Sequence, residues 1–123
     1  MKTLTKAEEQ IMQVIWQLER AFVKEIITEL PEPKPAYNTV STVVRILESK
    51  GVLDHESFGK SHRYFPTMSK EEYTRSSMNS LVENYFDGSF SEVVSFFVKE
   101  NKLDLNELND ILETIQKNRE DRP

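Results

Sequence analysis

The chain has 123 residues, a length that suits one modest domain or, as we expect here, two small lobes, and its 16 Lys and Arg against 21 Asp and Glu give a net charge of −5. Cysteine is absent, which excludes disulfides and thiolate metal sites and is consistent with a reducing cytoplasm. Since no apolar run approaches the roughly 20 residues of a membrane span and the N-terminus is charged where a signal peptide is apolar, we expect a soluble, cytoplasmic protein without membrane insertion.

Four helix starts can be recognised, because a capping side chain precedes a glutamate by three residues. These pairs are Thr5 with Glu8, Ser69 with Glu72, Ser89 with Glu92 and Asp104 with Glu107. The first pair opens a helix of about 15 residues, on whose apolar side Trp16 is expected to pack into the core. A second helix is predicted from about Phe22 to Pro31, after which three prolines between 31 and 35 exclude regular helix.

Residues 36–51 predict a third helix with an apolar side and a polar side that carries almost no negative charge. At about 100° per residue, Val40, Val44 and Leu47 fall on the apolar side. The opposite side carries amide, hydroxyl and guanidinium groups, which are typical of helices that contact base edges and phosphates. The candidate DNA-binding residues are Asn38, Thr39, Ser41, Thr42, Arg45 and Ser49 on this helix, with Lys60 and Arg63 on the segment that follows.

Gly51 is expected to end the third helix, and residues 52–57 and 61–66 then predict two short strands joined by a turn at Gly59. Three helices followed by a hairpin are the order of a winged-helix domain, which we place at residues 1–68. Residues 1–68 carry equal numbers of basic and acidic side chains, so the net negative charge belongs to residues 69–123. A local basic face can therefore still bind phosphates, because charges beyond about 8 to 10 Å are screened.

Residues 69–123 predict three acidic helices with narrow apolar stripes, at about 69–86, 89–101 and 104–118. Three helices of this size bury little apolar surface alone, so we expect them to pair with a second copy of the chain. The candidate dimerisation residues are Tyr73, Leu81, Val82, Tyr85, Phe90, Val93, Val94, Phe97, Leu108, Ile111, Leu112 and Ile115. The predicted fold class is thus mainly α with a small β-hairpin wing, in which an N-terminal winged helix-turn-helix precedes a three-helix dimerisation region.

Two histidines on the predicted hairpin, His55 and His62, lie near Asp54 and Glu56 in sequence and could be drawn as a metal site. They do not form a convincing closed set of ligands, and we assign no metal and no cofactor. The chain also lacks a nucleophile elbow, a phosphate loop and a plausible base beside a nucleophile. We therefore predict a DNA-binding protein and not an enzyme; the alternative is a winged-helix protein-interaction module that does not bind DNA.

Nearly the whole chain resembles the penicillinase and methicillin-resistance repressor family of winged-helix transcriptional regulators. The resemblance rests on residues 4–16 of the first helix, 39–51 of the third helix and 63–66 at the end of the hairpin. It implies a homodimeric repressor that places one helix of each subunit in successive major grooves of a pseudo-palindromic operator and so occludes a promoter. It also implies an upstream membrane sensor or protease that relieves repression.

The chain departs from this family at two points. Related members carry arginine immediately before the leucine that matches Leu47, whereas this chain has Ile46 there and Arg45 one position earlier, a rotation of roughly 100° around the helix. The family is cleaved at an Asn-Phe bond, and the matching pair here is Phe96-Phe97. The sequence leaves open the operator, the regulated genes, the inducing signal and the sensor, and whether proteolysis, a ligand or another signal ends repression.

Overall fold

The computed structural model describes the backbone of residues 3–120 and the side chains of residues 3–119. The elements, in chain order, are α1 (Lys6–Leu18), β1 (Ala21–Phe22), α2 (Val23–Glu29), α3 (Tyr37–Ser49), β2 (Leu53–Phe58), β3 (Ser61–Pro66), α4 (Lys70–Tyr85), α5 (Phe90–Lys99) and α6 (Leu105–Glu120). Among the described residues, none of these helices is long and apolar enough to cross a membrane. The mainly α fold with a small hairpin is as the sequence predicts.

The described chain divides into an N-terminal unit, residues 3–77, and a C-terminal unit, residues 78–120. The division falls inside α4 and not before it, because the first half of α4 packs on α1. There the Tyr73 ring lies 5.8 Å from the Trp16 ring, and its hydroxyl donates to Glu9 Oε2 at 3.1 Å. Tyr73 is thus buried in the core of the N-terminal unit and does not lie on an open surface.

The core of the N-terminal unit is formed by the apolar sides of three helices and one face of a sheet. Trp16 packs against this core, as expected, and its indole Nε1 donates to the Met68 carbonyl at 2.9 Å. The largest fully buried side chains are Met12, Ile15, Ile26, Val40, Val44 and Leu47. The helical period of the sequence therefore predicts correctly which side of α3 faces inward.

The capping pairs recognised in the sequence form in the structure. Thr5 Oγ1 accepts from the Glu8 amide at 3.2 Å, and Glu8 Oε1 accepts from the Thr5 amide at 2.8 Å. The amides of Glu72, Glu92 and Glu107 donate to Ser69, Ser89 and Asp104. These bonds satisfy amide groups that a helix start otherwise leaves without partners.

Gly51 ends α3 with a left-handed backbone, at φ +82°. Its amide donates to the Glu48 carbonyl at 2.9 Å, and the next amide, that of Val52, donates to the Leu47 carbonyl at 3.1 Å. This pair of hydrogen bonds is the Schellman arrangement, which favours glycine at the residue of positive φ. It turns the chain directly from α3 into the wing, which we define as β2, β3 and the turn between them.

The wing is an antiparallel hairpin with a two-residue turn, Gly59-Lys60, and a positive φ at Gly59 alone. The sequence did not predict the third strand, β1, which pairs with β3 and makes the strand order β1-β3-β2. Phe22, expected at a helix start, belongs to this strand and directly precedes α2. A strand of two residues has no periodicity of its own, so its formation depends on pairing with β3.

Candidate nucleic-acid interface

The outer side of α3 carries hydrogen-bonding groups and is exposed. Asn38, Thr42, Arg45 and Ser49 are exposed, and Arg45 Nη2 donates to Ser41 Oγ at 3.1 Å. These side chains lie opposite the buried valines because residues three, four and seven apart share a helix side. We call Ser41, Arg45 and Ser49 the polar column of α3; this column runs along the helix beside the wing.

A cleft of about 290 Å³, the wing cleft, lies between α3 and the wing. No carboxylate is found among the described residues that line it. Its polar lining consists of Tyr37, Ser41 and Arg45 from the α3 side, with Lys60, His62 and Tyr64 from the wing. This arrangement of two cations, an imidazole and several hydroxyl groups is suited to an anion such as a phosphate.

Strand register decides which wing residues face the cleft. Tyr64 is buried toward the core, so His62, two positions earlier on β3, lies on the same sheet face as Tyr64. Arg63, between them, lies on the opposite face, where it pairs in register with Glu56 of β2 and Phe22 of β1. The structure therefore brings Lys60 to the wing cleft but places Arg63 on the far side of the sheet. The imperfect alternation of the hairpin sequence did not distinguish these two faces.

The two histidines of the wing stack on one another, with ring centroids 4.0 Å apart and an interplanar angle of 10°. His55 Nδ1 lies 2.8 Å from Glu48 Oε1 of α3, and this contact joins the wing to α3. Burial, and then the nearby Glu48 carboxylate, raise the pKa of Tyr64, so its phenol remains protonated near neutral pH. The stacked histidines and Tyr64 thus form the part of the wing that faces Arg45, Glu48 and Ser49 of α3.

The ligand atoms of Glu48, Asp54 and His55 lie within 4.8 Å of one another. Their existing hydrogen bonds explain this proximity. Glu48 bonds to the His55 ring, and Asp54 Oδ1 accepts from the His55 amide at 2.8 Å. These three side chains therefore connect α3 to β2, and we assign no metal to them.

Other cationic side chains near α3 already bind groups of the protein itself. Lys50 Nζ lies 2.6 Å from Glu8 Oε1, which is almost fully buried, and Lys34 Nζ donates to the Thr28 and Leu30 carbonyls at the end of α2. Within residues 3–119, none of the ion pairs includes Arg45 or Lys60. These two side chains are therefore the cations of the wing cleft that remain available to a ligand.

Apolar side chains are exposed throughout the C-terminal unit. None of the residues of α5 is buried, and Tyr85 and Phe90 are 76% and 62% exposed. Of the predicted dimerisation residues in this unit, Val82 is buried, Val93 and Leu108 are half-buried, and the exposed ones are Leu81, Tyr85, Phe90, Val94, Phe97, Ile111, Leu112 and Ile115. An apolar surface of this extent is unusual for a monomer and is typical of an interaction surface.

Comparison with known proteins identifies relatives over nearly the whole length of the chain. The profile of the penicillinase repressor family matches residues 4–117. The penicillinase repressor of Bacillus licheniformis is 24% identical over 117 residues, covering 94% of this chain and 91% of that protein. The methicillin resistance regulatory protein MecI of Staphylococcus aureus strain N315 is 23% identical over 115 residues, covering 93% of this chain and 94% of that protein.

A solved structure supports the fold independently. The solution structure of the DNA-binding domain of the repressor BlaI matches with a TM-score of 0.51 and 30% identity, covering 59% of this chain and 94% of that domain. The winged-helix fold predicted from the sequence is confirmed by this match. The relatives are transcriptional repressors and not enzymes, in agreement with the sequence prediction. The chain belongs to the penicillinase repressor family.

Proposed function

We propose that the protein is a cytoplasmic transcriptional repressor that binds a double-stranded DNA operator as a homodimer and occludes a promoter. The observation that carries this proposal is the continuity between the exposed polar side of α3 and the wing cleft. One helix side offers groups that suit base edges, and the adjoining cleft offers Arg45 and Lys60 to a phosphate. The family match supports the repressor role.

In this proposal α3 lies in the major groove and the wing follows the DNA backbone. Asn38 and Ser49 face the groove, while Arg45 contacts a base edge or the phosphate next to it. Lys60 contacts the backbone, and His62, which sequence reasoning did not select, joins it in the wing cleft. Arg63 lies on the other face of the sheet, so we place it outside the contact set.

We propose residues 1–68 as the DNA-binding domain and residues 69–123 as the dimerisation domain, with Tyr73 removed from the dimer surface. The exposed apolar side chains of α5 and α6 would be covered by the same side chains of a second copy. A symmetric pair presents α3 twice, so the operator is expected to be pseudo-palindromic. The apolar surface of each chain is then buried only when two chains associate.

The proposal is tested by measuring operator binding as a function of salt concentration. DNA fragments selected by the wild-type chain would be titrated with the wild type and with two variants, Lys60→Gln and the control Lys70→Gln. Lys60→Gln should weaken binding evenly across sequences and flatten the plot of log affinity against log salt by about one unit for each bound protomer. Lys70 is exposed at the start of α4, and its replacement should leave both quantities near wild type.

Two results would count against the proposal. If the wild type shows no salt-dependent binding to any duplex, the protein is an interaction module of another kind. If Lys60→Gln and Lys70→Gln are indistinguishable from the wild type, DNA binding does not use the wing cleft.

A further inference from the structure

A second column of residues runs along α3 beside the polar column. Thr39, Thr42 and Ile46 follow one another at spacings of three and four residues, so they lie on one side of the helix. All three are exposed, and Ile46 is 42% exposed although its neighbour Leu47 is fully buried. We call these residues the methyl column, since each of them carries at least one methyl group.

The methyl column offers apolar contact and few free hydrogen-bond donors. Thr42 Oγ1 donates to the Asn38 carbonyl at 2.8 Å, so the helix backbone already uses this hydroxyl. Arg45, which comes directly before Ile46, is hydrogen-bonded to Ser41 in the polar column. The guanidinium is therefore held along the polar column, and the Ile46 side chain is left exposed at the methyl column.

An exposed isoleucine on a helix that enters the major groove can pack against an apolar group of one particular base. Thymine is the base that presents a methyl group, at C5, in the major groove, and aliphatic and threonine methyl groups contact it. We infer that Ile46 reads a thymine methyl in each operator half-site, with Thr39 and Thr42 extending the contact. This inference rests on the proposed function and adds the base that the apolar part of the helix selects.

Replacing thymine by deoxyuridine tests the inference, because it removes the C5 methyl and keeps the base pairing. Each thymine of the selected operator would be replaced in turn, and affinity would be measured for the wild type, Ile46→Ala and the control Phe58→Ala. Phe58 is a similarly exposed apolar side chain on the wing. In the wild type and Phe58→Ala, one deoxyuridine in each half-site should weaken binding about three- to tenfold. Ile46→Ala should bind the thymine and deoxyuridine operators equally.

The possible failures can be told apart. If the wild type binds a specific operator and no deoxyuridine changes its affinity, the inference is wrong and the proposed function stands. If Ile46→Ala remains as sensitive to deoxyuridine as the wild type, another residue reads the methyl and the assignment to Ile46 is overturned. If no specific operator is selected at all, the proposed function fails and the inference fails with it. Circular dichroism of Ile46→Ala verifies that the compared proteins are folded.

Discussion

At the scale of single residues, the ion pair between Glu8 and Lys50 fixes the end of α3 to the start of α1. Glu8 is 5% exposed, and its carboxylate also accepts a hydrogen bond from the Thr5 amide. These two partners compensate for the free-energy cost of burying the charged carboxylate. The sequence identified Glu8 as a capping residue, and Lys50 directly precedes the glycine that ends α3. It did not reveal their contact, because 42 residues separate them in the chain.

Replacing Lys50 by methionine should destabilise the protein, because it leaves a buried carboxylate without its cation. We expect Lys50→Met to lower the free energy of unfolding by about 1.5 to 3 kcal/mol, measured by urea denaturation at fixed protein concentration. The exposed control Lys24→Met should change it by less than about 0.5 kcal/mol. Equal effects of the two variants would show that the ion pair does not stabilise the fold.

The same pair predicts a pH dependence. The hydrogen bond from Lys50 is the largest cause that lowers the pKa of Glu8, and burial opposes it. A lowered folded-state pKa means that the stabilisation is fully present above the unfolded value, about 4.3, and is lost as the pH falls through the folded value. The stability difference between the wild type and Lys50→Met should therefore shrink below about pH 4. A difference that stays constant down to acid unfolding would contradict this assignment.

Among the helices and strands, those whose sequence has a clear hydrophobic period and a capping or turn residue were predicted with bounds within about two residues. Features that arise only when one strand pairs with another were not predicted. The inward side of α3 follows from the spacing of Val40, Val44 and Leu47. By contrast, β1 forms only against β3, and the opposite placements of His62 and Arg63 follow from strand register. Sequence reasoning therefore selected Arg45 and Lys60, which line the wing cleft, and did not select His62, which lines it as well.

The glycine that ends α3 should contribute to the stability of the fold. A Cβ at Gly51 would meet nothing within 4 Å, so the cost of a side chain there comes from the backbone conformation at φ +82°. Gly51→Ala should lower the free energy of unfolding by about 1 to 2 kcal/mol, whereas Ser49→Ala, two residues earlier in ordinary helix, should be nearly neutral. Urea denaturation of the two variants makes the comparison, and an unchanged midpoint for Gly51→Ala would contradict the role of the glycine.

At the scale of the whole molecule, the proposed homodimer explains why the C-terminal unit exposes so many apolar side chains. Phe97 of α5 is 44% exposed and the helix has no buried residue, so a charge at this position should spare the fold of one chain and oppose pairing. We expect Phe97→Glu to be monomeric at micromolar concentration in analytical ultracentrifugation and to lose most of its operator affinity. Ser95→Glu, with the same charge on the polar side of α5, should remain dimeric. A dimeric Phe97→Glu would remove α5 from the interface.

In the proposed repressor, two copies of α3, related by the symmetry of a dimer, read one operator. This arrangement is tested by selecting bound fragments from random duplex DNA with the full chain, at a stated salt concentration. We expect an inverted repeat whose half-sites lie about one helical turn, or roughly 10 base pairs, apart. Recovery of an unrepeated site bound by a single copy, or of no enriched sequence, would contradict it.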